Sequence, residues 1–170
     1  MNIFHSHRGI ALLIASLISA VVISIGAALF SLVQKQVTLS SVARESQFAF
    51  YAADTGAECA LYWDNRFNYF TATTTAPSGA VCDTATLSVV RPGAVSYPYV
   101  STFQFQPNGK CVLVTVTKCD GTITNGVCTH DVVNTPPPIH TSIRSDGYNV
   151  ACAATTTSKI ALQRSVQLNY

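Results

Sequence analysis

Charge is scarce in this chain. Only 11% of its 170 residues are charged, and the 10 basic and 8 acidic ones leave a formal net charge of +2. The basic residues form no Lys/Arg run, so the footprint of a nucleic-acid binder is missing. A phosphate-cradling Gly loop, a zinc-protease motif and any Cys-x-x-Cys pair are missing too. His130 and His140 have no Ser, Cys or Asp partner pattern around them, and the acids are scattered. The stretch Asp120-Gly-Thr-Ile-Thr-Asn-Gly126 lacks the alternating acids and distal Glu of a calcium loop, so it reads as a turn. These absences point away from an enzyme, and no cofactor or metal is expected.

The apolar residues are unevenly placed. They make up 48% of the chain, and one uncharged, proline-free run, Ile10 to Val33, holds much of the excess. Arg8 precedes that run and the next charge is Lys35. About 20 apolar residues at about 1.5 Å rise cross a bilayer core, so a transmembrane helix is expected over 10–34. The remainder is the size of one ordinary soluble domain.

All six cysteines (Cys59, Cys82, Cys111, Cys119, Cys128, Cys152) lie beyond the apolar run. An even count on one side of an anchor implies an oxidising compartment and a disulfide framework. Arg8 before the run places the amino terminus in the cytoplasm and the cysteine-bearing part outside. The charge asymmetry is slight, with Lys35, Arg44 and Glu45 at the far end, and cysteine placement is the better guide.

Three readings of the run compete. A cleaved secretory signal has an apolar region of about 7–15 residues and a small-residue cut site. This run is longer, and Ser24-Ile-Gly26 and Gly26-Ala-Ala28 are both followed by more apolar residues. A plain signal anchor is the second reading. The third comes from Arg8-Gly9-Ile-Ala-Leu-Leu-Ile14-Ala, a short basic leader ending in Gly. It resembles the processing signal of type IV pilin-like proteins. The stretch Arg44-Glu-Ser-Gln-Phe-Ala-Phe-Tyr-Ala-Ala-Asp-Thr-Gly-Ala-Glu58 is similar to the helix of minor pilins and tip pseudopilins.

That resemblance spans about residues 8 to 62 and carries several implications. A prepilin peptidase would cut between Gly9 and Ile10, removing the 1–9 leader and keeping the apolar helix. Ser16, Ser19, Ala20 and Gly26 would let the helix pack against other pilin-like subunits, as small residues do between membrane helices. Major pilins carry a Glu at the fifth residue after the cut, where this chain has Ile14. A lone carboxylate in hydrocarbon needs a partner. Its absence fits a tip or priming subunit, and Ile14 as a lipid-facing residue fits equally.

From Lys35 to about residue 63 the pattern remains helical. Phe48, Tyr51, Ala52, Thr55, Cys59 and Tyr62 share one face, widened by Phe50, Ala53, Ala57 and Leu61. That aromatic stripe is expected to lie on a sheet as core. A helix from Ile10 to about Tyr62 would be on the order of 80 Å long, with Asp64-Asn65 ending it. Asp54 and Glu58 at i, i+4 put two carboxylates on one helix face, suited to solvent, a cation, acid–base work or a basic group on a neighbour.

Residues 64–170 read as a β-rich head. Strand patterns occur at 86–90, 102–106, 111–117 and 159–169, and Pro107-Asn-Gly109 signals a tight hairpin turn. A Thr-rich loop is expected over 71–78, turns at Asp120-Gly121 and Asn125-Gly126, and a stiff connector at Thr135-Pro-Pro-Pro-Ile139. Ser142–Asn149 and the strand after it resemble the carboxy-terminal ending of some pilin-like proteins. The fold class expected is α+β, a long helix packed on a small antiparallel sheet and braced by disulfides.

Six cysteines allow about 15 pairings, which sequence does not reduce to one. The strand placement favours Cys119 with Cys128 across a turn-rich loop, Cys111 with Cys152, and Cys59 with Cys82. The functional expectation is a minor pilin or pseudopilin in a type IV pilus-like filament. It would be held first in the cytoplasmic membrane with its head outside, and later in an extracellular filament. The alternatives are a membrane-anchored binding domain that does not assemble and a secretion-system pseudopilin. The partners implied are other pilin-like subunits, the prepilin peptidase and the membrane, with no specific nucleic acid.

Overall fold

The computed structural model describes residues 6–71, 79–91, 96–124, 126–134 and 136–170, with side chains from residue 10 onward. His5, most of the Thr-rich loop, Asn125 and Thr135 lie outside the described residues. The chain divides into two units, Met1–Ala43 and Arg44–Tyr170. One helix, α1 (Ser6–Phe67), contributes to both.

In the first unit every residue from Ile10 to Ala43 is exposed, because its described residues form helix alone. Its most apolar stretch has a mean hydropathy of 2.6, long and apolar enough to cross a membrane. The hydroxyls of Ser16, Ser19, Ser24 and Ser31 donate back to the carbonyls of Leu13, Ala15, Val21 and Ala28 at 2.8–2.9 Å. Each serine is therefore satisfied inside its own helix, and none needs water.

The second unit is a helix laid on an antiparallel sheet. The strands are β1 (Val81–Cys82), β2 (Ala85–Thr86), β3 (Tyr99–Phe105), β4 (Val112–Cys119), β5 (Gly121–Thr124), β6 (Val127–His130), β7 (His140–Tyr148) and β8 (Gln163–Asn169). The main sheet runs β3-β4-β7-β8, while β1-β2 and β5-β6 are separate two-stranded ribbons. Between β3 and β4, Asn108 and Gly109 both take positive φ (49° and 74°), the conformation a tight reversal demands. That is the turn Pro107-Asn-Gly109 predicts. β4 alternates cleanly, with Val112, Val114 and Val116 fully buried and Leu113 exposed.

The part of α1 that faces the sheet is built from small residues. Ala49, Ala53, Ala57 and Ala60 are at most 1% exposed. The aromatic stripe expected as core faces outward instead: Phe48, Phe50, Tyr51 and Tyr62 are all exposed. Close approach is the reason. A Cβ on Gly56 would collide with Ser145 Oγ and Val112 Cγ1, and one on Gly147 would strike the backbone of Ala49 and Ala53. With no room for rings between helix and sheet, the aromatic core forms beyond them. Phe70 stacks on Phe103 at 5.7 Å, and Phe103 on Phe105 at 6.2 Å.

The helix also ends later than Asp64-Asn65. Asn68 adopts φ 47° and its N–H donates to Asp64 O at 2.8 Å, a left-handed cap one turn further on. Asp64 is left 5% exposed against the sheet, where Lys118 Nζ reaches its Oδ2 at 2.8 Å and the Tyr170 hydroxyl donates to the same oxygen at 2.7 Å. Burial first, and then this bond, hold the Tyr170 hydroxyl above its ordinary value of 10.0, so it stays a donor. Other strand expectations shift as well. Residues 86–90 keep only a short ribbon and a bridge from Val90 to Thr102, the last strand begins at Gln163, and β7 was not read as a strand.

All six cysteines are paired, in the arrangement the strand placement favours: Cys59–Cys82, Cys111–Cys152 and Cys119–Cys128. Their Cα–Cα distances of 6.0, 4.6 and 5.6 Å fit disulfide geometry. The first joins α1 to the β1-β2 ribbon, the second closes the 3₁₀ turn at Cys152–Ala154 onto the start of β4, and the third ties the end of β4 to β6. Gly147→Val, which forces a side chain into the α1 backbone, should lower unfolding stability by at least about 1–3 kcal/mol. Gly26→Ala should not, since nothing lies within 4 Å of a Cβ there. Urea titration of the full chain in detergent micelles, followed by tryptophan fluorescence, checks both.

Candidate assembly interface

The surfaces available for function are exposed ones, and the first is the helix of the first unit. Ile10, Leu13, Ile14, Leu17 and Ile18 are each more than half exposed, as are Val22, Ile25 and Leu29 further along. Water would penalise this surface by about 25 cal/mol per Å² of apolar area, so it requires lipid or other helices. Ser16, Ser19, Ala20 and Gly26 all sit exposed on it, and Gly26 leaves an open notch where a neighbouring backbone fits. Gly9 and Ile10 are the fourth and fifth residues of helix α1.

The second surface is the outward side of α1 in the second unit. Phe50, Tyr51 and Tyr62 are 47, 64 and 57% exposed, interleaved with Asp54 and Glu58. Among the described residues neither carboxylate makes an ion pair or hydrogen bond. Glu58, Leu61, Tyr62, Asn65 and Arg66 line a shallow groove of about 380 Å³ on this side. Aromatic rings left in solvent beside unpaired carboxylates form a surface suited to an amphipathic, basic partner. The stripe is therefore on the helix face that the spacing picks out, with its role reversed from core to surface.

The outer face of the sheet is polar. Thr115, Thr117, Ser142, Arg144 and Gln167, with Gly126 from the β5-β6 turn, surround a cavity of about 410 Å³. Arg144 Nε contacts both oxygens of Asp146 at 3.3 Å. Beside it, Cys119, Asp120 and Cys128 bring potential ligand atoms within 4.8 Å of one another. Both sulfurs are spent in a disulfide, and a metal needs thiolates. Asp120 instead pairs with His130 Nδ1 at 2.5 Å. Asp120-Gly121 thus opens a hairpin, β5-β6, in place of a bare turn.

Past β6, Val132 and Val133 are 90 and 85% exposed, the barest apolar side chains described. Asp131 holds this tip by accepting from the N–H groups of Val133 and Asn134 and from the Asn134 amide. The Asn134 side chain, then the two N–H groups, hold the Asp131 carboxyl below its ordinary 3.8. A carboxyl depressed by folding stabilises the loop above its unfolded value and loses that effect as pH falls through the folded one. Acidification below pH 3.8 should therefore lower the hydrogen-exchange protection of Val133 and Asn134, measured against intrinsic rates at the same pH, while the protection of β4 is unchanged. NMR exchange measurements at a series of acidic pH values read this directly. No protein-family model matches the chain, and comparison with curated proteins and with solved structures returns no match.

Proposed function

We propose that this protein is a minor pilin or pseudopilin, a structural subunit of a type IV pilus-like filament placed at the tip or in assembly priming. A prepilin peptidase cuts between Gly9 and Ile10, and the chain remains in the cytoplasmic membrane through its apolar helix with the head outside. On assembly, the helix exchanges lipid for the helices of other pilin-like subunits. The observation that carries this reading is one helix, Ser6–Phe67, apolar early on and exposed throughout 10–43, then seated on a disulfide-braced sheet. The Arg8-Gly9 junction and the self-satisfied serines at 16 and 19 support it, since both suit a segment retained in an apolar environment. The exposed aromatic and acidic side of α1 supplies a second contact surface for a neighbouring subunit.

A membrane-anchored binding domain that never assembles is the competing reading, favoured by the open polar cavity beside Arg144. A secretion-system pseudopilin would share the processing and the helix packing. Mass spectrometry of the protein isolated from its own cells separates the first two. The filament reading requires a mature terminus at Ile10, and an intact Met1 would leave only the anchor. Ala20→Leu and Gly26→Leu should leave the head folded and reduce incorporation into sheared filaments about tenfold, the effect of losing about 1.4 kcal/mol of helix packing. Quantitative immunoblotting of the filament fraction measures the loss.

A further inference from the structure

Between the end of α1 and β4 lies a pair of reactive groups that filament assembly leaves unused. Lys118 is 8% exposed and Asp64 is 5% exposed. The amine nitrogen of Lys118 stands 2.8 Å from Asp64 Oδ2, so the carboxyl carbon is one C–O bond of about 1.2 Å further. Asp64 Oδ1 is buried and has no hydrogen-bond partner among the described residues. The Tyr170 hydroxyl donates to Oδ2 at 2.7 Å, marking one of the two oxygens. A nucleophile, an electrophilic carbon and a proton donor on a single oxygen are thus held together by three separate elements.

Contact sets the chemistry. Groups fixed in such contact reach effective molarities of about 10⁵–10⁸ M, far above the concentration of liquid water that drives hydrolysis. The unpartnered Oδ1 adds a second bias. As a carboxylate oxygen it carries buried charge without a donor, whereas as an amide oxygen it is neutral and costs less.

We propose that Lys118 and Asp64 condense into an intramolecular isopeptide bond that joins β4 to the end of α1. The bond from Nζ to Cγ forms as the bond from Cγ to Oδ2 breaks. Oδ2 leaves as water with two protons that the Lys118–Asp64 pair itself supplies, so no oxidant or other reactant is needed. Tyr170 steadies the departing oxygen through its hydrogen bond and acts as a positioning residue. Asn68 Oδ1 also lies 3.4 Å from Nζ, but Asn68 is exposed and the contact is longer, so it is the poorer acceptor. The product is a cross-link across 54 positions that no reductant opens.

Intact-mass spectrometry of the full chain, fully reduced and alkylated, tests this. The expected chain is lighter by one water, and trypsin should release a branched peptide joining residues 45–66 to residues 111–144. Lys118→Arg should restore the full mass and remove the branched peptide. Tyr170→Phe should lower the condensed fraction in freshly made protein while the sheet still folds. A wild-type chain at its full mass would overturn the proposal. A loss of ammonia, with a branch to Asn68, would overturn the assignment to Asp64. Neither result bears on cleavage after Gly9, so the bond and the filament reading fail separately.

Discussion

The close approach of α1 to the four-stranded sheet governs the rest of the head. Gly56 meets Val112, Val114 and Ser145, and Gly147 meets the backbone at Ala49 and Ala53. Such contact excludes side chains larger than alanine from the buried helix face over residues 49–60, which explains the run of Ala49, Ala53, Ala57 and Ala60. Small residues surrender apolar area, worth about 25 cal/mol per Å², in exchange for dense backbone packing. The aromatic residues must then go elsewhere. Some gather at the helix end with Phe70, Phe103 and Phe105, and others remain in solvent on the outward side.

That displacement links packing to function. Phe50, Tyr51 and Tyr62 face water because the sheet side has no space for them, and Asp54 and Glu58 stand among them without partners among the described residues. The same helix thus presents an apolar surface in its first unit and an aromatic, acidic one in its second. The first needs lipid or other helices around it, and in the proposed filament the second meets a neighbouring subunit. The three disulfides each tie a buried cysteine of the head (Cys82, Cys111 or Cys119) to a more exposed partner, and each stabilises by about 2–4 kcal/mol through the unfolded chain.

Asp64 shows how a residue changes meaning with context. By propensity it is a helix stop, and Asp64-Asn65 reads as one. The cap falls instead at Asn68, whose left-handed conformation ends the helix one turn later. The extra turn delivers Asp64 to Lys118 and Tyr170, residues separated from it by 54 and 106 positions. Local pattern contains no trace of such a meeting.

Much was legible without coordinates, because it rests on short-range chemistry. Uncharged periodicity marks the membrane-length helix, and alternation marks β3 and β4. Pro107-Asn-Gly109 marks its turn, and the positions of the cysteines relative to the strands favour the pairing found. β7 escaped notice because His140–Tyr148 mixes charged, polar and glycine positions, and becomes a strand only by lying between β4 and β8. The buried face of α1 is the opposite case: aromatic and small residues occupy adjoining stripes, hydrophobicity alone ranks the rings first, and that expectation of an aromatic core is overturned. Sequence by itself determined the membrane-length helix, the strands β3 and β4 with their turn, and the class of fold, all set by neighbours along the chain. Only tertiary structure decided the buried face and the Asp64–Lys118 pair, because both depend on how closely two backbones approach.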